Sequence, residues 1–239
     1  MDVGEWTADR PRRNDTLREQ LVELIRSSVL RGSILPGDRL VEAQLSEQLG
    51  VSRGPIREAI RQLVDEGLVE NVPYRGTVVR TLTVEDIEEI FSFRILLESY
   101  AFRRVWPLRD RGFSTALVDR HEALQQAIRS GNRQDAIIRE MDLHGLAYER
   151  AEHALLLESW TMLRARLHMY FTFHHMAHDR TGSRLDAHDR YVALAGGDDL
   201  DAMIDEIDTH MRRGLDRLRA FVRARREDAG GVNLDRLAK

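Results

Sequence analysis

The sequence predicts a mainly α-helical chain in two parts: three helices closed by a β-hairpin, then an all-α antiparallel helical bundle. Three observations carry that reading. Apolar residues recur at helical spacing through residues 15–66, two short β-rich segments flank a Pro/Gly turn between 68 and 80, and nothing from residue 84 onward alternates like a strand. With 239 residues, each part has enough chain to bury a core.

The elements follow in order. Residues 15–31 place Leu17, Leu21, Leu24, Ile25 and Val29 on one helical face, and Gly32 ends that helix. Leu35-Pro36-Gly37-Asp38 makes a turn. A short helix over 41–49 turns Leu45 and Leu49 inward. Gly50-Val51-Ser52 then forms a tight turn, and Ser52 caps a third helix over 53–66, with Pro55 in its first turn where a missing N–H costs little. Gly67 stops it. Segments 68–72 and 77–80 pair around Pro73-Tyr74-Arg75-Gly76, so residues 15–80 read as a winged helix-turn-helix. Residues 1–14 are expected to be a disordered tail and 81–83 a linker, with Thr83 and Asp86 as a capping pair for the next helix. Helices are expected over 84–105, 113–130, 133–152, 154–178, 184–195 and 199–226, a bundle of about six. Residues 227–239 are left as a frayed tail.

Composition narrows the classes. Cysteine is absent, which removes disulfides, thiolate metal sites and cysteine catalysis, and a reducing cytoplasm fits. No apolar run approaches the ~20 residues that span a membrane, and the first residues lack the apolar stretch of a secretory signal. The net charge of −4 does not advertise nucleic-acid binding, and residues 1–80 hold 12 basic against 13 acidic side chains. A nucleic-acid role therefore rests on where the arginines stand. Lys239 is the only lysine. Arginine suits bidentate contacts with phosphate and guanine, although genome composition produces the same bias.

In the third helix Arg53, Arg57 and Arg61 stand four residues apart on one face, opposite Ile56, Ile60, Leu63 and Val64. A basic stripe on a capped helix behind a tight turn suits the major groove, where the helix N-terminus also favours phosphate. The competing reading is a solvated face screened by Glu58 and Asp65. Further residues resemble the GntR family of bacterial regulators: Ile34-Leu35-Pro36-Gly37-Asp38-Arg39-Leu40, Glu42 with Leu45, Val51 through Ile60, Leu63, Glu66-Gly67-Leu68-Val69, and the wing Tyr74-Arg75-Gly76-Thr77-Val78-Val79. The resemblance implies double-stranded operator DNA as partner. Arg39 would hold the backbone at the start of the second helix, Ser52, Arg53 and Arg57 would work at the recognition helix, and Arg75 and Gly76 at the wing tip. Arg61 is added from helix geometry alone.

The bundle turns ionisable residues toward its own apolar stripes. Arg94 sits in register with Ile87, Ile90, Phe91, Leu97 and Ala101, and Glu140 and His144 with Ile137, Met141 and Tyr148. His188 falls between Leu185 and Tyr191, and His210 between Ile207 and Met211. Such groups are costly in a core unless paired or metal-bound. Three histidines and a carboxylate suit zinc, nickel or another divalent ion, while separate core histidines making ordinary hydrogen bonds are the plain alternative. Asp142 points about 200° away from His144. His174 lies on the stripe of Trp160, Leu163, Leu167 and Tyr170 and is a candidate cavity residue, while His168, His175 and His178 are expected at the surface or rim.

This half resembles the FCD sensor domain of the FadR subfamily, in its smaller VanR-like, six-helix form. The likeness runs through Arg94 with Glu98, Leu143-His144 with Leu155-Leu156, His188 with Gly197 and Asp199, and His210. It implies a metal held by Glu140, His144, His188 and His210, with a small organic acid completing the shell and Arg94 clamping it. Glu140 stands where the family usually has Asp. A salt bridge to Glu98 is the plain alternative for Arg94. The resemblance further implies a dimer on a palindromic operator, acting as a repressor, although activators share the pattern. A structural metal and a metal-dependent hydrolase are the rival readings. The sequence carries neither HExxH nor a phosphate loop.

Overall fold

The structure is a computed structural model that describes residues 16–81, 83–178 and 180–230. The described residues form two compact units, 16–81 with 164–173, and 83–163 with 174–178 and 180–230.

In the first unit α1 (Leu17–Leu30) starts at Thr16, whose hydroxyl and the Glu19 carboxylate cap each other's backbone N–H groups. Its apolar face buries Leu21, Val22, Ile25 and Val29. Next come α2 (Glu42–Leu49) and α3 (Arg53–Asp65), separated by Gly50 in the left-handed conformation at φ 65°, which reverses the chain. Ile56, Ala59, Ile60 and Leu63 of α3 pack inward with Leu45, while Val64 is half-buried. Strands β1 (Val69–Val72) and β2 (Gly76–Val79) pair antiparallel with Val69 opposite Val79. An isolated bridge from Arg39 to Val78 extends this hairpin on its other side. Three helices and a wing are as expected, with strand ends moved by one residue.

Among the described residues the regular elements of the second unit are all helices. They are α4 (Val84–Val105), a single 3₁₀ turn at Trp106–Leu108, α5 (Arg111–Arg129), α6 (Arg133–Arg150), α7 (Ala154–Ala177), α8 (Asp189–Ala195) and α9 (Leu200–Gly230). The middle of α7 groups with the first unit. Thr83 and Asp86 form the expected capping box, Asp110 and Asn132 cap α5 and α6 through their side chains, and the His153 ring accepts from Leu156 N–H at the start of α7. Within this unit α4 packs on α6 and α9, α5 on α6 and α8, and α8 on α9. Among the described residues no helix is long and apolar enough to cross a membrane.

Three expectations need correction. The helix expected over 184–195 begins only at Asp189, because Arg184 pairs with Asp186 and the carbonyls of Arg184 and Asp186 accept three residues on, a turn instead of a helix. Leu185 is accordingly 42% exposed. Ser52 occupies the N-cap of α3 without a capping hydrogen bond from its side chain. Helix α9 continues to Gly230, past the residue 226 expected as its end. The tail expected at 1–14 and residues 231–239 of the one expected at 227–239 lie outside the described residues, and 227–230 belong to α9.

Candidate metal centre and nucleic-acid interface

Four helices bring one buried polar cluster together inside the second unit. Helix α4 presents Arg94 and, one turn on, Glu98, which are 2% and 0% exposed. Helix α6 presents Glu140, His144 and Tyr148, His188 stands at the N-cap of α8 with Tyr191 in its first turn, and α9 presents His210. His144, His188 and His210 each offer a ring nitrogen, and these lie within 4.8 Å of one another. Ring centroids are 4.7 Å apart for His188 and His210, and 5.2 Å from His144 to either. Glu140 reaches this group through His188, with Oε1 3.7 Å from Nε2. Asp142 instead neighbours Arg139 at 3.7 Å, consistent with its outward register.

Glu98 organises the cluster. Its Oε1 accepts from the Tyr191 hydroxyl at 2.6 Å and lies 2.9 Å from His144 Nδ1, while Oε2 accepts from Arg94 Nε at 3.2 Å and the Tyr148 hydroxyl at 3.5 Å. A carboxylate on Nδ1 fixes the tautomer with the lone pair on Nε2. His144 Nε2 is buried without a hydrogen-bond partner, as are His188 Nε2 and Arg94 Nη2. Buried polar atoms are nearly always satisfied, so three orphans in one cluster mark a place where a bound group belongs. The donor set, three imidazoles and a carboxylate, fits a divalent zinc- or nickel-like ion.

Electrostatics agree. Burial, followed by the Arg94 charge and the His188 ring, holds His144 well below its ordinary pKa. Burial and the two neighbouring rings do the same to His210. His188 falls to about 3, through burial first and then His121 and the Arg94 and Arg217 charges. The three rings are neutral near pH 7, the form that ligates metal. Glu98→Gln keeps the shape but weakens the grip on Nδ1–H, so metal affinity measured by chelator competition should fall about 10–100-fold. Unchanged affinity would remove Glu98 from the orienting role.

Trp160 forms the cluster's wall. It stacks on Tyr148 at 4.7 Å and 12°, and the Arg94 guanidinium carbon lies 5.5 Å from its ring. Gly145 permits the approach, since a Cβ there would stand 3.0 Å from Trp160 Nε1. The sequence reading placed Tyr148, Trp160 and Tyr191 on apolar stripes and gave none of them a part in the site. Tyr148 follows His144 by one turn and Tyr191 follows His188 by three residues, so the spacing carried a signal, but their common acceptor Glu98 is remote in sequence.

Of the remaining histidines on α7 and at its end, His168, His174 and His175 fall differently from expectation. His174 is buried, with its ring against His175, His178 and Phe221 and not against the triad. His168 and His175, expected at the surface or rim, are 8% and 5% exposed, because α7 is apolar on nearly every side and both rings share its interior faces. His178 is exposed. Burial lowers His168, His174 and His175 each to about 4, with nearby cations adding to the effect. The unfolded chain, with ordinary histidines near 6.5, then binds more protons than the folded one below that pH. Stability should be flat above pH 7 and fall as pH drops from 6.5 toward 4, with a slope approaching about 1.4 kcal/mol per pH unit for each histidine. Thermal melts in chelator isolate this from metal loss, and a melting temperature constant from pH 7 to 4.5 would refute it.

In the first unit Ser52, Arg53, Arg57 and Arg61 are exposed along α3. Arg57 is held by the Glu42 carboxylate of α2, Nε to Oε1 at 3.1 Å and Nη2 to Oε2 at 3.0 Å, and Arg61 lies 3.4 Å from Glu58. Arg39 meets the wing, since a Cβ on Gly76 (φ 80°) would stand 3.4 Å from its guanidinium. Arg75 is exposed at the hairpin tip beside Tyr74, which is fully exposed and holds a positive φ of 64°. That conformation costs a non-glycine residue about 1–2 kcal/mol. Tyr74 entered the sequence reading only as part of the wing motif, although Pro73 before it marks the tight turn.

Residues 17–79 match the pattern of bacterial regulatory proteins of the gntR family, and residues 89–213 match the FCD domain. The chain is 36% identical over 120 residues to the uncharacterized HTH-type transcriptional regulator YdhC of Bacillus subtilis, covering 50% of this chain and 54% of that protein. It is 24% identical to the gluconate operon transcriptional repressor of Bacillus licheniformis over 77% of both chains. A solved GntR-family regulator from Pseudomonas syringae superposes with a TM-score of 0.55 at 25% identity, over 90% of this chain and 89% of that one. The chain spans about half the length of the curated relatives it matches at 36% and 37% identity.

Proposed function

The chain belongs to the GntR family of bacterial regulatory proteins and carries an FCD domain, and from that premise we propose that it is a transcriptional repressor that releases operator DNA when an organic acid binds at a metal. The observation that carries the sensing half is the set of buried orphans: His144 Nε2 and His188 Nε2 in the triad, and Arg94 Nη2 on the other side of Glu98. The nitrogens accept a cation and the guanidinium donates to an anion, so the cluster suits a metal and a carboxylate together. Glu140, His144, His188 and His210 would hold the ion, which supplies positive charge and open coordination positions. The relative named for a gluconate operon makes a hydroxy acid a fitting class of effector.

The other half of the proposal is a dimer on a palindromic operator, each α3 in a major groove and each wing tip, with Arg39, Arg75, Gly76 and Tyr74, on the flanking backbone. A coupling of ~1–3 kcal/mol between effector and DNA shifts affinity 5–150-fold. Arg94→Lys tests the sensor, because it keeps the cation beside Glu98 and removes the second donor. Metal content and operator affinity should persist while the acid concentration needed for release rises about 10-fold or more. An undiminished response in gel shifts would dismiss the clamp. Chelation that unfolds the bundle, with no acid effect at any concentration, would leave the metal structural.

A further inference from the structure

We propose that the outward face of α4 is the two-fold contact between two copies of this chain, with the axis passing at Leu96. The inference rests on the dimeric reading above and names its surface. While Ile87, Phe91, Arg94, Glu98, Ala101 and Phe102 line the buried side of α4, Phe93, Leu96 and Tyr100 on the opposite side are 40%, 65% and 44% exposed. At 100° per residue these three and the exposed Glu89 and Arg103 stay within about 60° of the Leu96 direction, a strip ~21 Å long. The strip widens toward α7: the Tyr100 ring meets that of His153, centroids 5.9 Å apart, and Leu157, one turn on from His153, is 38% exposed.

Charge chooses the occupant. Glu89 precedes Leu96 by seven residues and Arg103 follows it by seven. Two α4 helices crossing antiparallel at Leu96 set each Glu89 against the partner's Arg103, and Phe93 and Tyr100 flank the central leucines from both copies. The strip is complementary to itself, as an isologous interface requires, and the antiparallel helix dipoles reinforce the arrangement. A parallel pairing would oppose like charges. Among the described residues, neither Glu89 nor Arg103 forms an ion pair within its own chain.

Sedimentation equilibrium on the full chain tests the face. Leu96→Glu sets two carboxylates together on the axis, and the dimer dissociation constant should rise about 10-fold or more, with helix content by circular dichroism and metal content unchanged. Glu89→Arg and Arg103→Glu should each weaken the dimer, and the double variant should restore it. A Leu96→Glu protein that remains as dimeric as the parent overturns this face while leaving the dimeric reading standing. A double variant weaker than either single one overturns the antiparallel register. A parent chain that is monomeric at tens of micromolar overturns both the face and the dimeric reading.

Discussion

His188→Ala should take bound divalent metal from about one equivalent per chain to none detectable, an affinity loss well beyond the 10–100-fold of an orienting residue. The site has no slack to absorb the change. One nitrogen from each of its three imidazoles lies within 4.8 Å of the others, and the carboxylate that would complete the set, Glu140, approaches through His188 itself. Removing that ring costs the ion one ligand and isolates another. The scaffold should tolerate the loss, because His188 holds the N-cap of α8 without a capping hydrogen bond from its side chain. Metal analysis by mass spectrometry, with circular dichroism as the folding control, reads the result. Equal metal in the parent and the variant would end the metal-centre reading. Loss of both metal and fold would be resolved by His188→Gln, which retains polarity and volume.

Arg57→Ala should weaken operator binding by ~1–3 kcal/mol if the side chain reads a base. In the free protein the Arg57 guanidinium is committed to Glu42, but both partners are substantially exposed, with Arg57 at 57% and Glu42 at 35%. An exposed pair of this kind contributes ~0–1 kcal/mol, less than a bidentate base contact, so DNA can displace the carboxylate or use the orientation it imposes. The form of the loss separates the roles. Reduced discrimination between operator and random DNA marks a base reader, whereas a uniform loss with a salt slope smaller by about one marks a phosphate contact. Affinity unchanged for both DNAs would withdraw Arg57 from the interface.

What could be read from the sequence depended on the range of the interaction. Leu21, Ile25, Ile60 and Leu63 declare their faces through spacing of three and four residues, so the winged unit was legible almost throughout. Arg94, Glu140, His144 and His210 were legible for the same reason, as polar residues in apolar registers. Glu98 was visible only as Arg94's neighbour one turn on. Its bonds to His144 and Tyr191 join positions 46 and 93 residues away, and periodicity along one helix cannot report them. The late start of α8 was hidden because Leu185, His188 and Tyr191 keep helical spacing across a turn. His168 and His175 were misplaced for a related reason: α7 is apolar on most sides and offers no polar face against which to orient them.

The shared carboxylate of Glu98 has a thermodynamic consequence. Arg94 draws on one of its oxygens and His144 on the other, so the electron density each receives depends on what the other is bound to. An anion that recruits Arg94 Nη2 loosens that cation's hold on Glu98. On the proposed function, the freed charge would make His144 a stronger base and a metal held there a tighter guest. Linkage would then demand the converse: the metal would raise the acid's affinity by the same factor by which the acid raises the metal's. On the proposed function, a cell's supply of the ion would thereby set the acid concentration at which operator DNA is released, so that one chain would respond to the product of two activities.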